Sequence, residues 1–197
     1  MVMIAAAGCT VGLGHDDGYG PWLGSLVAPI AIFDAEVVNT GSVDITERGA
    51  DGAALRVEPH PTVTVDDVQV LEHFAANPFA QELYERFSAM ASASTPIEIL
   101  NDDDVKFEPG RRYRITLRHS TWPDPARDID LSAQLAWDLA DDRPADGESA
   151  GGWRGDLDAL RSAGLVEGSN ADAVVAIAQA FSSATPTDTQ HDIMVTL

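Results

Sequence analysis

The chain has 197 residues, 45% of them hydrophobic, which is enough for one domain with a sizeable core. Its 22 Asp and 10 Glu outnumber 11 Arg and one Lys, and the formal net charge of −20 at pH 7 argues against nucleic acid and anionic membranes as partners, because phosphates would be repelled. One cysteine excludes an intramolecular disulfide and a CxxC redox site, and no segment has the roughly 20 apolar residues of a membrane span.

The chain opens with the apolar and glycine-rich stretch MVMIAAAGCTVGLG. Its GxxxGxG spacing, from Gly8 to Gly14, resembles the dinucleotide-binding turn of short-chain dehydrogenases. That turn needs a helix N-terminus directed at the pyrophosphate, whereas HDDGYGP follows here and places carboxylates at the phosphate position. We therefore expect no cofactor, and we assign residues 1–20 to an apolar strand or arm followed by a Gly-rich loop.

A second interpretation of the same stretch concerns Cys9. The residues AAGC resemble the end of a lipoprotein signal, which also needs a basic segment and a longer apolar stretch before the cysteine. Only eight residues precede Cys9 and none is basic, so lipidation of Cys9 requires a start site further upstream. Residues 21–197 are expected to form a single α+β domain.

Alternating apolar and polar residues dominate the remaining chain, most clearly in IDLSAQLAWDL at 129–139. Shorter alternating segments predict further strands, at Val43/Ile45, Leu55/Val57, Val63/Val65, Ile97/Ile99, Val105/Phe107, Tyr113/Ile115/Leu117 and Ile193/Val195/Leu197. Turn signals separate them, at 39–41, 51–52, 101–104 and 109–110. This spacing favours a mainly antiparallel β-sandwich or partly open barrel.

Helical periodicity predicts two insertions between these strands, at about 66–91 and 156–182. In the first, the apolar pattern restarts after Asn77, a good N-cap, and Pro78, a good first helical residue. In the second, Gly164 marks a helix end. Residues 140–155 are polar and contain Gly and Pro, so we expect a mobile loop there.

That loop contains GESAGG at 147–152, which resembles the nucleophile elbow of the carboxylesterase branch of α/β-hydrolases. The resemblance implies Ser149 as nucleophile, with Asp188 and His191 following in that family's Ser, acid, His order. No buried strand precedes the motif and no His-Gly-Gly oxyanion segment occurs upstream. We expect a solvated loop and no catalysis, with a small serine hydrolase as an alternative.

Clustered acids offer weak candidates for metal ligands, because hard cations prefer carboxylates. The two densest clusters are His15, Asp16 and Asp17, and Asp102, Asp103 and Asp104. Neither has EF-hand spacing and no HExxH motif occurs, so hydrated turns are the simpler interpretation and no bound metal is expected.

Three tryptophans lie in predicted loops and are candidates for partner binding: Trp22, Trp122 and Trp153. Folding back over the ends of the sheets is the competing interpretation for each of them.

Taken with the charge, these patterns predict a non-catalytic structural, assembly or protein-binding subunit. An acidic, Lys-poor chain is typical of proteins adapted to high salt, which screens its self-repulsion, although actinobacterial proteins share the Arg-over-Lys bias. Its partners would be proteins, including further copies of itself, in a virion or cell-surface complex rather than the cytoplasm. An extracytoplasmic binding module anchored through Cys9 is the first alternative.

Overall fold

A computed structural model describes residues 26, 29–48, 53–74, 77–93, 95–103, 105–124, 129–145, 152–182 and 187–197. The strands in this part of the chain are β1 (Ala31–Arg48), β2 (Ala54–His73), β3 (Ile97–Leu100), β4 (Arg112–Asp124), β5 (Ile129–Asp138) and β6 (Arg143–Pro144). The helices are α1 (Pro78–Ser92), α2 (Trp153–Ser162), α3 (Asn170–Ser182) and α4 (Asp188–Thr196).

Five strands form a closed barrel. Their order is β3-β2-β1-β4-β5, all neighbours are antiparallel, and β3 meets β5 in a parallel pairing at Leu100 and Ser132. Because β4 returns to lie beside β1, the connectivity is a Greek key. The predicted α+β class and the barrel are confirmed, whereas the β-sandwich is not. The long β1 pairs with β2 on one edge and with β4 on the other, so that a single sheet closes on itself.

Two apolar layers stabilise this arrangement. Inside the barrel, Phe33 of β1 packs on Phe87 of α1, with ring centroids 4.9 Å apart. Outside it, α2, α3 and α4 pack on a second cluster that includes Ile32 and Trp137 of the sheet. The chain therefore has a helix against the barrel core and three helices on one outer wall.

The alternation at 129–139 predicts one buried face, but β5 buries both. Leu131 and Ala133 belong to the barrel core, whereas Leu135 and Trp137 belong to the helix-covered layer. A register shift in the β4–β5 pairing, between Thr116 and Leu117, moves the apolar side chains from one face to the other.

Three other predictions about the middle of the chain were wrong. Residues 66–73 continue β2 instead of starting a helix, because pairing of Val70 with Phe33 overrides the helical spacing. The turn predicted at 39–41 lies inside β1, where Gly41 pairs with Thr62. Val105 and Phe107 are buried, but they lie in a non-strand segment.

The predicted C-terminal strand is also wrong, because residues 188–196 form α4. Thr187 caps this helix by accepting a hydrogen bond from the Gln190 backbone N–H at 3.1 Å. Only Ile193 of the three alternating residues is buried, and three residues are too few to distinguish a strand from a helix. The predicted helix end at Gly164 is confirmed, since this glycine has a φ of +71° just after α2.

Candidate functional site

The hairpin of β1 and β2 extends beyond the barrel. These strands have 18 and 20 residues, but β4 pairs with β1 only up to Glu36 and β3 pairs with β2 only over Thr62–Val65. Residues 42–48 of β1 pair with residues 54–61 of β2 beyond both of these neighbours, and we call this two-stranded extension the ribbon. A two-stranded hairpin is marginally stable alone in water, so the ribbon is stabilised by packing against other elements.

One face of the ribbon displays apolar side chains to solvent. Leu55 is 64% exposed and Val57 is 58% exposed. Val57 lies opposite Thr46, and the next pair on the same face is Asp44 and Pro59. On the other face Val43 and Ile45 are buried and cluster with Leu100. The ribbon thus has one packed face and one open face with an apolar row.

The outer edge of β2 is poorly suited to pairing with another strand. The Pro61 carbonyl accepts a hydrogen bond from the Asn101 backbone N–H at 2.9 Å, so the backbone groups of Pro61 face that edge. Alternation along the strand turns Pro59 and Val57 in the same direction. Proline has no N–H, so this edge lacks two donors.

The outer edge of β1 is different. Ser42, Asp44 and Thr46 pair with Pro61, Pro59 and Val57, and their own N–H and C=O groups therefore point away from β2. A loop covers the same edge only up to Val37, which exchanges backbone hydrogen bonds with Gly110 and Arg111. Beyond that point no described residue forms a backbone hydrogen bond with these three, so within the described part of the chain this edge of β1 is a row of donors and acceptors without a strand partner.

Sequence reasoning predicted strands at 43–45 and 55–57 but missed this surface. The signal was present in RVEPHPTVTV, where two prolines within an alternating segment indicate an edge strand. The missing information was how far the neighbouring strands would extend.

One cavity elsewhere contains an arginine that is already paired. A shallow cavity of about 290 Å³ is lined by Arg114, Asp172 and residues of β2 and α3. Arg114 donates to Asp34 at 2.8 and 3.1 Å and to Asp172 at 3.0 Å. Burial lowers the pKa of Arg114, but these carboxylates outweigh it and raise the pKa overall. This guanidinium fixes α3 to the barrel and is not free to bind an anion.

A second ion-pair group lies where β4 begins. Arg111 contacts Asp138, Asp141 and Glu108. Hydrogen bonds to Asp141 and Asp138 raise the pKa of Arg111, and the contacts with Arg111 and Arg143 hold the pKa of Asp141 below its usual range. This network also has a structural role, because it joins the turn before β4 to the end of β5.

The predicted loop at 140–155 is structured at both ends. Asp142 has a φ of +48° and accepts hydrogen bonds from the backbone N–H groups of Asn170 and Ala171, each at 3.1 Å. It also accepts from Trp137 Nε1 at 3.1 Å. Asp142 therefore caps α3 and occupies the position that an anion would take at that helix end. At its other end the predicted loop gives way to α2 at Trp153, and residues 146–151 lie outside the described part.

Of the predicted metal ligands, His15, Asp16, Asp17 and Asp104 lie outside the described residues. Asp102 accepts a hydrogen bond from Ser120 Oγ at 2.8 Å, and Asp103 forms an ion pair with Arg118 at 3.0 Å. The described residues contain no group of three or more His, Cys, Asp or Glu side chains placed to hold a metal ion.

The predicted hydrolase residues are only partly described. Ser149 lies outside the described residues, in the segment between β6 and α2. Asp188 and His191 are both exposed, three residues apart on α4. The described sheet is an antiparallel barrel apart from one parallel pairing, whereas the nucleophile elbow belongs to an α/β sheet that alternates with helices.

The three loop tryptophans and Cys9 have different outcomes. Trp153 starts α2, is 7% exposed, and packs edge to face on Trp137 with ring centroids 5.1 Å apart. Its indole is thus part of the helix-covered core. Trp122 lies within β4, where only the backbone is described, and Trp22 and Cys9 lie outside the described residues. Partner binding by Trp22 or Trp122 and lipidation of Cys9 stay predictions.

Comparisons with protein-family models, curated proteins and solved structures give no match for this chain. None of the helices in the described part is both long enough and apolar enough to cross a membrane.

Proposed function

We propose that the chain is a non-catalytic protein-binding or assembly domain and that the ribbon is its contact surface. The observation that carries this proposal is the combination, on one element, of exposed Leu55 and Val57 with an edge of β1 that no described residue pairs with. Exposed apolar rows and open strand edges are the features by which sheets recruit other chains.

The charge of the chain supports the same conclusion. Of the arginines that line the described cavities, Arg114 contacts two acids and Arg161 donates to Asn170, so at −20 the chain offers few free cations to anionic ligands. Excess acid of this kind keeps a protein soluble in high salt, where screening reduces repulsion between subunits. We place the domain in an acidic, salt-adapted assembly such as a virion or cell-surface complex.

Comparative capture tests the role of the ribbon. Affinity-tagged wild-type chain is compared with Leu55→Ser/Val57→Ser and with Val195→Ser, a control that removes an apolar side chain 71% exposed on α4. We expect wild type and the control to retain the same protein partners and the ribbon variant to lose them, with unchanged circular dichroism.

Equal recovery of partners by all three proteins would contradict the proposal. Labelling of the wild-type chain by a fluorophosphonate probe, with loss of labelling in Ser149→Ala, would contradict its non-catalytic part and support the serine hydrolase instead.

A further inference from the structure

We infer that a cavity between α2 and the start of α3 binds a small carboxylate through Arg154 and Arg161. The cavity has a volume of about 210 Å³, and we call it the α2 cavity. None of its lining residues belongs to the ribbon, so this site and the proposed function can fail independently. The lining residues are Trp153, Arg154, Leu157, Asp158, Arg161 and Asn170.

Ion pairing sets these two arginines apart from the others. The seven other arginines whose side chains are described each contact a carboxylate at 3.1 Å or less. Arg154 contacts no carboxylate of the described residues, and Arg161 comes no closer than 4.0 Å to Asp158. Although the chain has 32 acids and 12 basic residues, the two guanidinium groups without a close carboxylate line the same cavity.

Arg154 is oriented by an aromatic ring. Its Cζ atom lies over the Trp153 indole, 4.9 Å from the ring centroid, and Trp153 is itself held in the core against Trp137. Stacking occupies one face of the guanidinium and leaves the N–H groups at its edge available to an acceptor. Arg154 lies in the first turn of α2, where the helix dipole disfavours a cation, so stabilisation of α2 does not explain its charge.

Arg161 is oriented by neutral acceptors. Its Nη2 donates to Asn170 Oδ1 at 2.6 Å and to the Gly168 carbonyl at 3.4 Å. Its Nε and Nη1 make no hydrogen bond with any residue in the described part of the chain. The side chain is therefore held in place while its positive charge is not neutralised, which is the condition for a preorganised anion site.

The arrangement favours a carboxylate over a phosphate. Arg154 and Arg161 are seven residues apart on α2, which is about two helical turns, and each guanidinium edge matches the two oxygens of a planar carboxylate. Asp158 lies between them in sequence and repels an anion that concentrates its charge at one centre, as phosphate does. A dicarboxylate spreads its charge over two groups, one for each arginine.

The size of the cavity also limits the ligand. Pockets that hold drug-sized molecules measure roughly 300 to 1,000 Å³, and the α2 cavity is smaller. It suits a short dicarboxylic acid or the side chains of an acidic peptide, which share the same carboxylate chemistry.

A titration followed by NMR tests the site. The arginine Nε–Hε signals of ¹⁵N-labelled wild-type chain are recorded while sodium glutarate is added at constant ionic strength. We expect the signals of Arg154 and Arg161 to shift and saturate with a Kd of about 1 to 10 mM, while that of Arg114 stays in place. Shifts that do not saturate, or that sodium chloride reproduces, would overturn the site.

Three variants test the roles of the charged side chains. Arg154→Gln removes an exposed guanidinium and should raise the Kd for glutarate at least tenfold without changing the circular dichroism. Arg56→Gln is the matched control, because it removes an arginine that is 49% exposed and already paired with Glu58, and it should leave the Kd unchanged. Asp158→Asn removes the repelling carboxylate and should lower the Kd severalfold. Equal Kd values for Arg154→Gln and wild type would overturn the site, as would weaker binding by Asp158→Asn.

Two further probes identify the source of the carboxylate. A diglutamate peptide with both termini blocked and inorganic phosphate are titrated under the same conditions. Binding of glutarate alone supports a free organic acid as the ligand, whereas binding of the peptide with a similar Kd supports the acidic side chains of a protein. Tighter binding of phosphate than of either carboxylate probe would overturn the ligand class.

Discussion

Arg114 and Asp34 form a two-point ion pair between β4 and β1, with Nε–Oδ1 and Nη2–Oδ2 distances of 2.8 and 3.1 Å. Their side chains are 11% and 12% exposed, and the third donor of Arg114 reaches Asp172 on α3. The pair therefore couples the barrel wall to the helix layer, in contrast to the half-exposed pairs at the surface.

Removal of the Arg114 guanidinium should lower the free energy of unfolding far more than removal of a surface arginine. In Arg114→Ala the Asp34 carboxylate stays largely buried without its partner, and we expect the free energy of unfolding to fall by about 3 kcal/mol. Arg143→Ala removes a half-exposed pair with Asp141 and should cost less than about 1 kcal/mol. Urea denaturation of both variants in one buffer measures the difference, and equal losses would contradict it.

The pH dependence of stability should contain a contribution from Asp172. A hydrogen bond from Ser169 and the contact with Arg114 hold the pKa of Asp172 below its usual range. A depressed folded pKa gives stability that is present above the unfolded value of about 4 and is lost as the pH falls through the folded value.

We therefore expect wild type to exceed Asp172→Asn in free energy of unfolding by a constant amount between pH 7 and pH 5. The difference should shrink below pH 4. Because this side chain is 60% exposed, solvent screening limits the difference to below about 1 kcal/mol. Urea denaturation at pH 7, 5, 4 and 3 measures it, and a difference that grows on acidification would refute the assignment.

Local sequence patterns predict where an element begins better than they predict which strands pair with one another. Asn77 and Pro78 identified the start of α1, because an N-cap and a first-turn proline act within one turn. The continuation of β2 through Val70 depends on its pairing with Phe33, 37 positions earlier in the chain, which no local window contains. The same limit explains β5, where a register shift against β4 decides which face each apolar residue takes.

The exposed face of the ribbon was not predicted, because it too depends on which strands pair and how far they extend. Leu55 and Val57 have the alternation of an ordinary half-buried strand, and their exposure results from β3 pairing only as far as Thr62. Trp153 shows the reverse case. Its Gly-rich surroundings favour an exposed loop, yet it lies at the first position of α2 against Trp137. Burial depends on where neighbouring elements end.

Trp153 should accordingly act as a core residue. Trp153→Ala removes its edge-to-face contact with Trp137 and leaves a cavity beneath α2, so we expect a loss of about 3 to 5 kcal/mol. Trp153→Phe keeps an aromatic ring at the position and should lower the free energy of unfolding by less than Trp153→Ala does. Guanidinium denaturation compares the variants. A Trp153→Ala protein with wild-type stability would show that the indole is dispensable for folding.

Salt should stabilise the monomeric fold, because screening weakens the self-repulsion of a −20 chain. We expect the melting temperature to rise between 0.1 M and 1 M NaCl, as the Debye length falls from about 10 Å to about 3 Å. A matched variant, Glu82→Gln/Glu167→Gln/Asp192→Asn, neutralises three exposed acids and should raise the melting temperature more at 0.1 M than at 1 M. Calorimetry measures the melting temperatures of both proteins at the two salt concentrations. A melting temperature that falls with salt would mean that ion pairs such as Arg114–Asp34 contribute more than self-repulsion costs.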